Sequence, residues 1–139
     1  MRKTKTRFGE VEYDPKNLLH FPAGMIGFPT LHDFIVMPNK KEGPMFWIQS
    51  VDDPDIAFIL TDPTNFFLDY RVIPSDSEKT TLQLEENDKC FNLTVVTVPQ
   101  DQKITVNLAA PILFCPKNNR AIQVILDNTD HKSKTPLPE

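Results

Sequence analysis

Proline constrains this chain more than any other feature. Thirteen of its 139 residues are proline and only four are glycine; average usage is about 5% proline and about 7% glycine. Proline cannot continue a helix or donate to a sheet ladder, so it ends elements. Here the prolines punctuate short runs of β-branched and aromatic residues. Strands are expected at residues 4–13 (TKTRFGEVEY, turning at Gly9), 17–22 (NLLHFP), 34–38 (FIVMP), 46–51 (FWIQSV) and 56–61 (IAFILT). Further strands are expected at 70–73, 90–98 (CFNLTVVTV), 104–108 (ITVNL), 112–115 (ILFC) and 120–126 (RAIQVIL). The run IAFIL is apolar throughout, which predicts packing on both faces. One helix signal stands out. Ser75-Asp-Ser-Glu78 has the capping-box spacing, and it predicts about two helical turns ending at Leu84 or Glu85. Too few helices exist for parallel crossovers. The expected class is all-β: a small barrel-like or sandwich domain of about 8–10 short strands with one short helix. It occupies residues 1–126, followed by a polar, flexible tail over 127–139.

Composition narrows the partners. Apolar residues make up 40%, enough for one core, and 15 basic against 19 acidic residues leave a net charge of -4. That balance argues against direct nucleic-acid binding, which draws on neutralised phosphates. It suits a basic partner. No apolar run approaches the ~20 residues of a membrane span. The basic start, MRKTKTR, lacks the apolar stretch of a secretory signal, so the expected location is cytoplasmic. Cys90 and Cys115 sit beside Phe91 and Phe114 with no CxxC pair. They read as buried, reduced thiols rather than a disulfide.

Chemistry is hard to find. Ser50 lies in no nucleophile motif. His20, His32 and His131 lack the i, i+4 spacing of a helical metal pair. Asp52, Asp53, Asp55 and Asp62 lack calcium-loop spacing, and Asp before Pro is a common turn starter. Gly24-Met-Ile-Gly27 matches the GxxG of nucleotide-clamping loops but reads as a structural turn in an acidic chain. Asn92-Leu-Thr94 fits a glycosylation pattern yet lies in a strand. No catalytic residue, metal or cofactor is expected, and a binding protein is the reading that remains. Phe66, Phe67 and Tyr70, beside Asp69, serve either as core or as an interface anchor. The alternative is a β-barrel module for a small ligand or single-stranded nucleic acid.

Several blocks together resemble one family. They are HFPAGMIGFPTLHDFIV (20–36), PMFWIQSVDDPDIAFILTDPTNFFLDY (44–70), LTVVTVP (93–99), VNLAAPILF (106–114) and RAIQVIL (120–126). In order and spacing they are similar to the FliW family of flagellar assembly factors. The resemblance departs after API, where this chain has Phe114-Cys115 (its residues 113–115 read LFC), and it is poor over 74–89. It implies a small β-barrel-like protein without catalytic activity; separately, the protein is expected to be monomeric when alone. It implies two cytoplasmic partners: flagellin, and CsrA, a small dimeric RNA-binding repressor of flagellin translation. Flagellin occupies the factor while plentiful; after export the freed factor holds CsrA and lifts repression. Candidate partner-binding residues in the matching blocks are Asp52, Asp53, Asp55, Phe66, Phe67, Asp69, Tyr70 and Asn107. The proline of the DDPD block is expected to display its acids on a rigid loop.

Overall fold

A computed structural model describes residues 1–38, 44–98, 103–126 and 131–137. The chain opens with a hairpin, β1 (Arg2–Thr6) and β2 (Gly9–Tyr13), whose turn depends on Gly9 at φ 96°. The remaining strands are β3 (Leu19–His20), β4 (Asp33–Pro38), β5 (Met45–Ser50), β6 (Ala57–Thr61), β7 (Phe91–Thr97), β8 (Thr105–Val106), β9 (Ile112–Cys115), β10 (Arg120–Gln123) and β11 (Thr135–Pro136). One helix, α1 (Asp76–Leu82), lies between β6 and β7.

The sheet runs β7-β6-β5-β4-β3-β10-β9, and β9 pairs back onto β7, so seven strands close a barrel. Closure removes the open edges that invite mispairing. Pairing is antiparallel except β3 with β10. β7 makes closure possible by dividing its length. Residues 91–93 pair with β9, and residues 94–96 pair with β6. Its far end also carries β8, which carries β11.

Alternation along the strands builds an interior and two outer layers. Phe34, Ile48, Leu60 and Ile112 point inward and pack with Leu19, Phe21 and Ala121. The Phe21 and Phe34 rings meet edge to face at 5.3 Å. On the outside, Met45, Val96 and Val106 are covered by Tyr70 with Phe66 and Phe67. Leu113 and Ile122 lie under Leu82 of α1. Phe58 and Leu60 of β6 belong to the interior and Ile59 to the outer layer, which is the two-faced packing expected of IAFIL. The hairpin tip lies on the barrel through Phe8, whose ring meets Trp47 at 5.0 Å. The Arg7 guanidinium lies 5.4 Å from the Trp47 ring centre.

The capping box forms in both directions. Glu78 N donates to Ser75 Oγ at 3.2 Å, and Ser75 N donates to Glu78 Oε1 at 2.8 Å. The helix stops at Leu82 because Gln83 turns left-handed, at φ 56°. Three expected strands differ. The stretch 17–22 contributes only Leu19–His20, after a 3₁₀ turn over Pro15–Asn17. The stretch 104–108 contributes only Thr105–Val106. No strand forms at 70–73; instead the Asn92 side chain grips Val72, accepting from its N–H at 2.7 Å and donating to its carbonyl at 3.0 Å. A carboxamide has replaced a ladder partner. The loop expected after Pro99 lies largely outside the described residues, as do 127–130 of the tail. Within the tail, Thr135–Pro136 pairs with β8 and Leu137 packs on the outer layer.

Candidate binding surface

The loop between β5 and β6 is wired from below by one side chain. Gln49 is fully buried. Its Nε2 lies within hydrogen-bonding distance of four carbonyls: Ser50 at 3.0 Å, Ile56 at 3.1 Å, Pro54 at 3.2 Å and Asp53 at 3.4 Å. Its Oε1 is buried without a partner. An orphaned buried acceptor costs about 1–3 kcal/mol, and that cost accompanies turning the donor end toward the loop. Ser50 adds a second anchor, its Oγ accepting from Asp52 N and Asp53 N at 3.0 Å each. Asp53 Oδ1 accepts from Asp55 N at 3.0 Å. Asp52 and Asp55 are left exposed and Asp53 half-buried, all on fixed backbone.

The other candidates lie elsewhere. β6 is five residues long, about 17 Å at strand rise, and residues 62–70 begin at its opposite end. There Asp62 Oδ1 accepts from Thr64 N at 2.9 Å, capping a 3₁₀ turn over Pro63–Asn65. Phe66 and Phe67 then pack half-buried against the outer layer. Tyr70 is buried, donates its hydroxyl to the Leu108 carbonyl at 2.8 Å and stacks edge-on with His131 at 4.9 Å. Burial pushes that hydroxyl up to about 12. Asn107 caps the approach to β9, its Oδ1 accepting from Ala109 N at 3.2 Å and Ala110 N at 3.0 Å. Asp69 is exposed. The structure thus brings Phe66, Phe67, Tyr70 and Asn107 around one apolar layer and holds Asp52, Asp53 and Asp55 apart from it.

Three exposed apolar residues were not singled out by sequence: Leu68, Ile73 and Phe91. They line an open concavity of about 1120 Å³ beside the 66–74 segment. Leu68 is 87% exposed within an aromatic run that otherwise turns inward. Its only sequence signal is its place between Phe67 and Asp69. Acids predominate around this concavity, with Asp62, Asp69, Glu85, Glu86 and Asp88 against Arg71, Lys79 and Lys89. Lys117 bridges Glu85 at 3.2 Å and Asp88 at 3.4 Å, and the Glu85 hydrogen bond, then the nearby Asp88 charge, push its ammonium up.

The remaining polar motifs have structural work. Gly24 sits at φ 72°, and a Cβ there would lie 2.5 Å from the Pro29 carbonyl oxygen, so its GxxG is a packed turn. His20 Nδ1 meets Asp33 Oδ1 at 2.8 Å, and His32 Nδ1 donates to the Phe21 carbonyl at 2.8 Å. Among the described residues no group of three or more His, Cys, Asp or Glu is placed to hold a metal ion, and no helix is long and apolar enough to cross a membrane.

Comparison with known proteins agrees with this architecture. A family model described as FliW protein matches residues 2–137. Flagellar assembly factor FliW 2 of Desulfotalea psychrophila is 64% identical over 138 residues, covering 99% of this chain and 91% of that protein. Flagellar assembly factor FliW of Syntrophotalea carbinolica is 60% identical, covering 99% of both chains. A crystal structure of the flagellar assembly factor FliW superposes with TM-score 0.88 at 29% identity, covering 99% of this chain and 98% of that one.

Proposed function

The chain belongs to the FliW family, and from that premise we propose that this flagellar assembly factor acts by binding proteins in the cytoplasm and not by catalysis. Its partners are flagellin and the translational repressor CsrA. While flagellin occupies the factor, CsrA stays free to repress; when flagellin leaves, the factor takes up CsrA and flagellin translation resumes.

The observation that carries this reading is the acidic loop held by Gln49. A protein that grips RNA must be basic. Asp52, Asp53 and Asp55 offer it a complementary surface that is already ordered, so little entropy is lost on docking. Complementary charge of this kind speeds encounter and fixes orientation. The acid-rich concavity favours a basic protein over nucleic acid in the same way. The apolar rim of Leu68, Ile73 and Phe91 suits a second contact of different chemistry.

The test is a triple variant, Asp52→Lys, Asp53→Lys and Asp55→Lys, with circular dichroism confirming the fold. CsrA affinity is expected to fall about tenfold or more, since like charges brought together cost several kcal/mol. The attraction at low salt is expected to disappear. Unchanged affinity and unchanged salt dependence would remove CsrA from this loop. Pull-downs from cells with flagellar export open or blocked test the exchange itself, because the bound partner should change between the two.

A further inference from the structure

Cys90 and Cys115 are 25 positions apart in sequence but meet where β7 and β9 close the barrel. The ladder there runs Asn92↔Leu113 and Phe91↔Phe114. Antiparallel pairing carried one residue further sets Cys90 opposite Cys115. Residues directly opposite share a face. Here it is the outer face under α1, where Cys90 packs with Leu82 and Leu113. Opposite residues in an antiparallel pair have Cα atoms about 4.5 or 5.5 Å apart, and both spacings fall within the ~4.4–6.8 Å range of disulfides. Both thiols are free, Cys115 buried and Cys90 half-buried. Cys90 also lines the open concavity, so a reagent can reach one thiol while the second waits behind it.

We propose that Cys90 and Cys115 form a redox-active dithiol: the Cys90 sulfur attacks a small disulfide such as oxidised glutathione, and Cys115 resolves the resulting mixed disulfide into an intramolecular bond. In the first step the Cys90 thiol gives up its proton and its sulfur attacks one sulfur of the external disulfide. That S–S bond breaks, and one thiolate leaves and takes up a proton. In the second step the Cys115 thiol loses its proton and its sulfur attacks the Cys90 sulfur. The Cys90–Cys115 bond forms and the second thiolate is expelled and protonated. The two protein thiols lose two electrons and two protons; the external disulfide departs as two thiols. Burial, then the neighbouring Cys115, push the Cys90 thiol up, while the Phe114 backbone hydrogen bond pulls it down. The thiolate is the attacking form, so the reaction quickens as pH rises.

The full chain is incubated with excess oxidised glutathione at mildly alkaline pH, then read by intact mass, free-thiol count and a non-reduced peptide map. The expected product has lost both thiols, carries no glutathione, and joins the Cys90 peptide to the Cys115 peptide. Cys115→Ala should hold a stable glutathione adduct at Cys90, and Cys90→Ser should not react. The peptide map of the unsubstituted chain decides the matter even if Cys115→Ala folds poorly. A lasting adduct on Cys90 with Cys115 still free, or retention of both thiols, overturns the proposal.

Discussion

The two loops flanking β6 are held in place by opposite means. The loop before it, residues 50–56, is held largely by hydrogen bonds: Gln49 and Ser50 bind its backbone, and Ile56 packs on the interior only where the loop enters β6. The segment after it, residues 66–73, is held by burial. Phe66, Phe67 and Tyr70 cover the outer layer, with the Tyr70 hydroxyl and the Asn92 clasp as its polar anchors. The first arrangement fixes backbone while leaving carboxylates in water, and so makes a charged platform. The second spends its aromatic side chains on packing and exposes Leu68, Asp69, Arg71 and Ile73 around them.

Substitutions can break that contrast one side at a time. The largest effect is expected from Tyr70→Ala. Emptying a buried aromatic site costs about 3–5 kcal/mol, measurable by urea denaturation, with faster hydrogen exchange across 66–73 and little change across 50–56. Gln49→Leu should come next, at about 2 kcal/mol: it removes the side-chain donor from four carbonyls, of which those of Asp53 and Ile56 keep a backbone donor, and the loss of the orphaned Oε1 offsets part of the cost. Its hydrogen-exchange signature should be the reverse, confined to 50–56. If both variants loosened both loops equally, the two would form one cooperative unit and the contrast would fail. Asn92→Ala should cost about 1–2 kcal/mol by releasing both bonds to Val72 and should loosen 71–73 alone.

Tyr70→Phe sharpens the comparison through pH. It keeps the ring, loses the bond to Leu108, and should cost about 1 kcal/mol at neutral pH. The Tyr70 hydroxyl stands at about 12 in the folded protein against an ordinary 10.0. The folded value is the higher, so this contribution to stability is whole below pH 10 and is lost as pH rises toward 12. Melting temperature should therefore fall more steeply over that window in the unsubstituted protein than in Tyr70→Phe, and parallel curves would show that the hydroxyl is not buried. The smallest effect is expected from Leu68→Ser, within about 0.5 kcal/mol, because exposed positions contribute little to folding. Any larger consequence should appear only in partner binding.

Much of this was legible in the chain because its signals are local. The Ser75–Glu78 spacing placed the helix start, Gly9 placed the hairpin turn, and the apolar run of β6 foretold packing on both faces. The signals that failed were those whose partner lies far away in sequence. Tyr70 and Val72 look strand-forming, yet Asn92 supplies the pairing. Gln49 is a lone amide in FWIQSV, and nothing nearby shows that it serves four carbonyls. The acids of the DDPD block and the aromatics of the FFLDY block were grouped as one set of contacts, although β6 holds them apart.

Sequence alone determined most of the element types, because proline, glycine and capping residues act through backbone torsions and hydrogen bonds a few residues long. It also determined the absence of a recognisable catalytic motif and the acidic charge. Tertiary structure decided the rest: that β7 divides its pairing between β6 and β9 and so shuts the barrel, that one aromatic run turns inward while Leu68 does not, and that Cys90 and Cys115 are both brought to the β7–β9 seam. Each of these depends on which strand lies beside which, and that is set by the collective burial of three apolar layers rather than by any short stretch of chain.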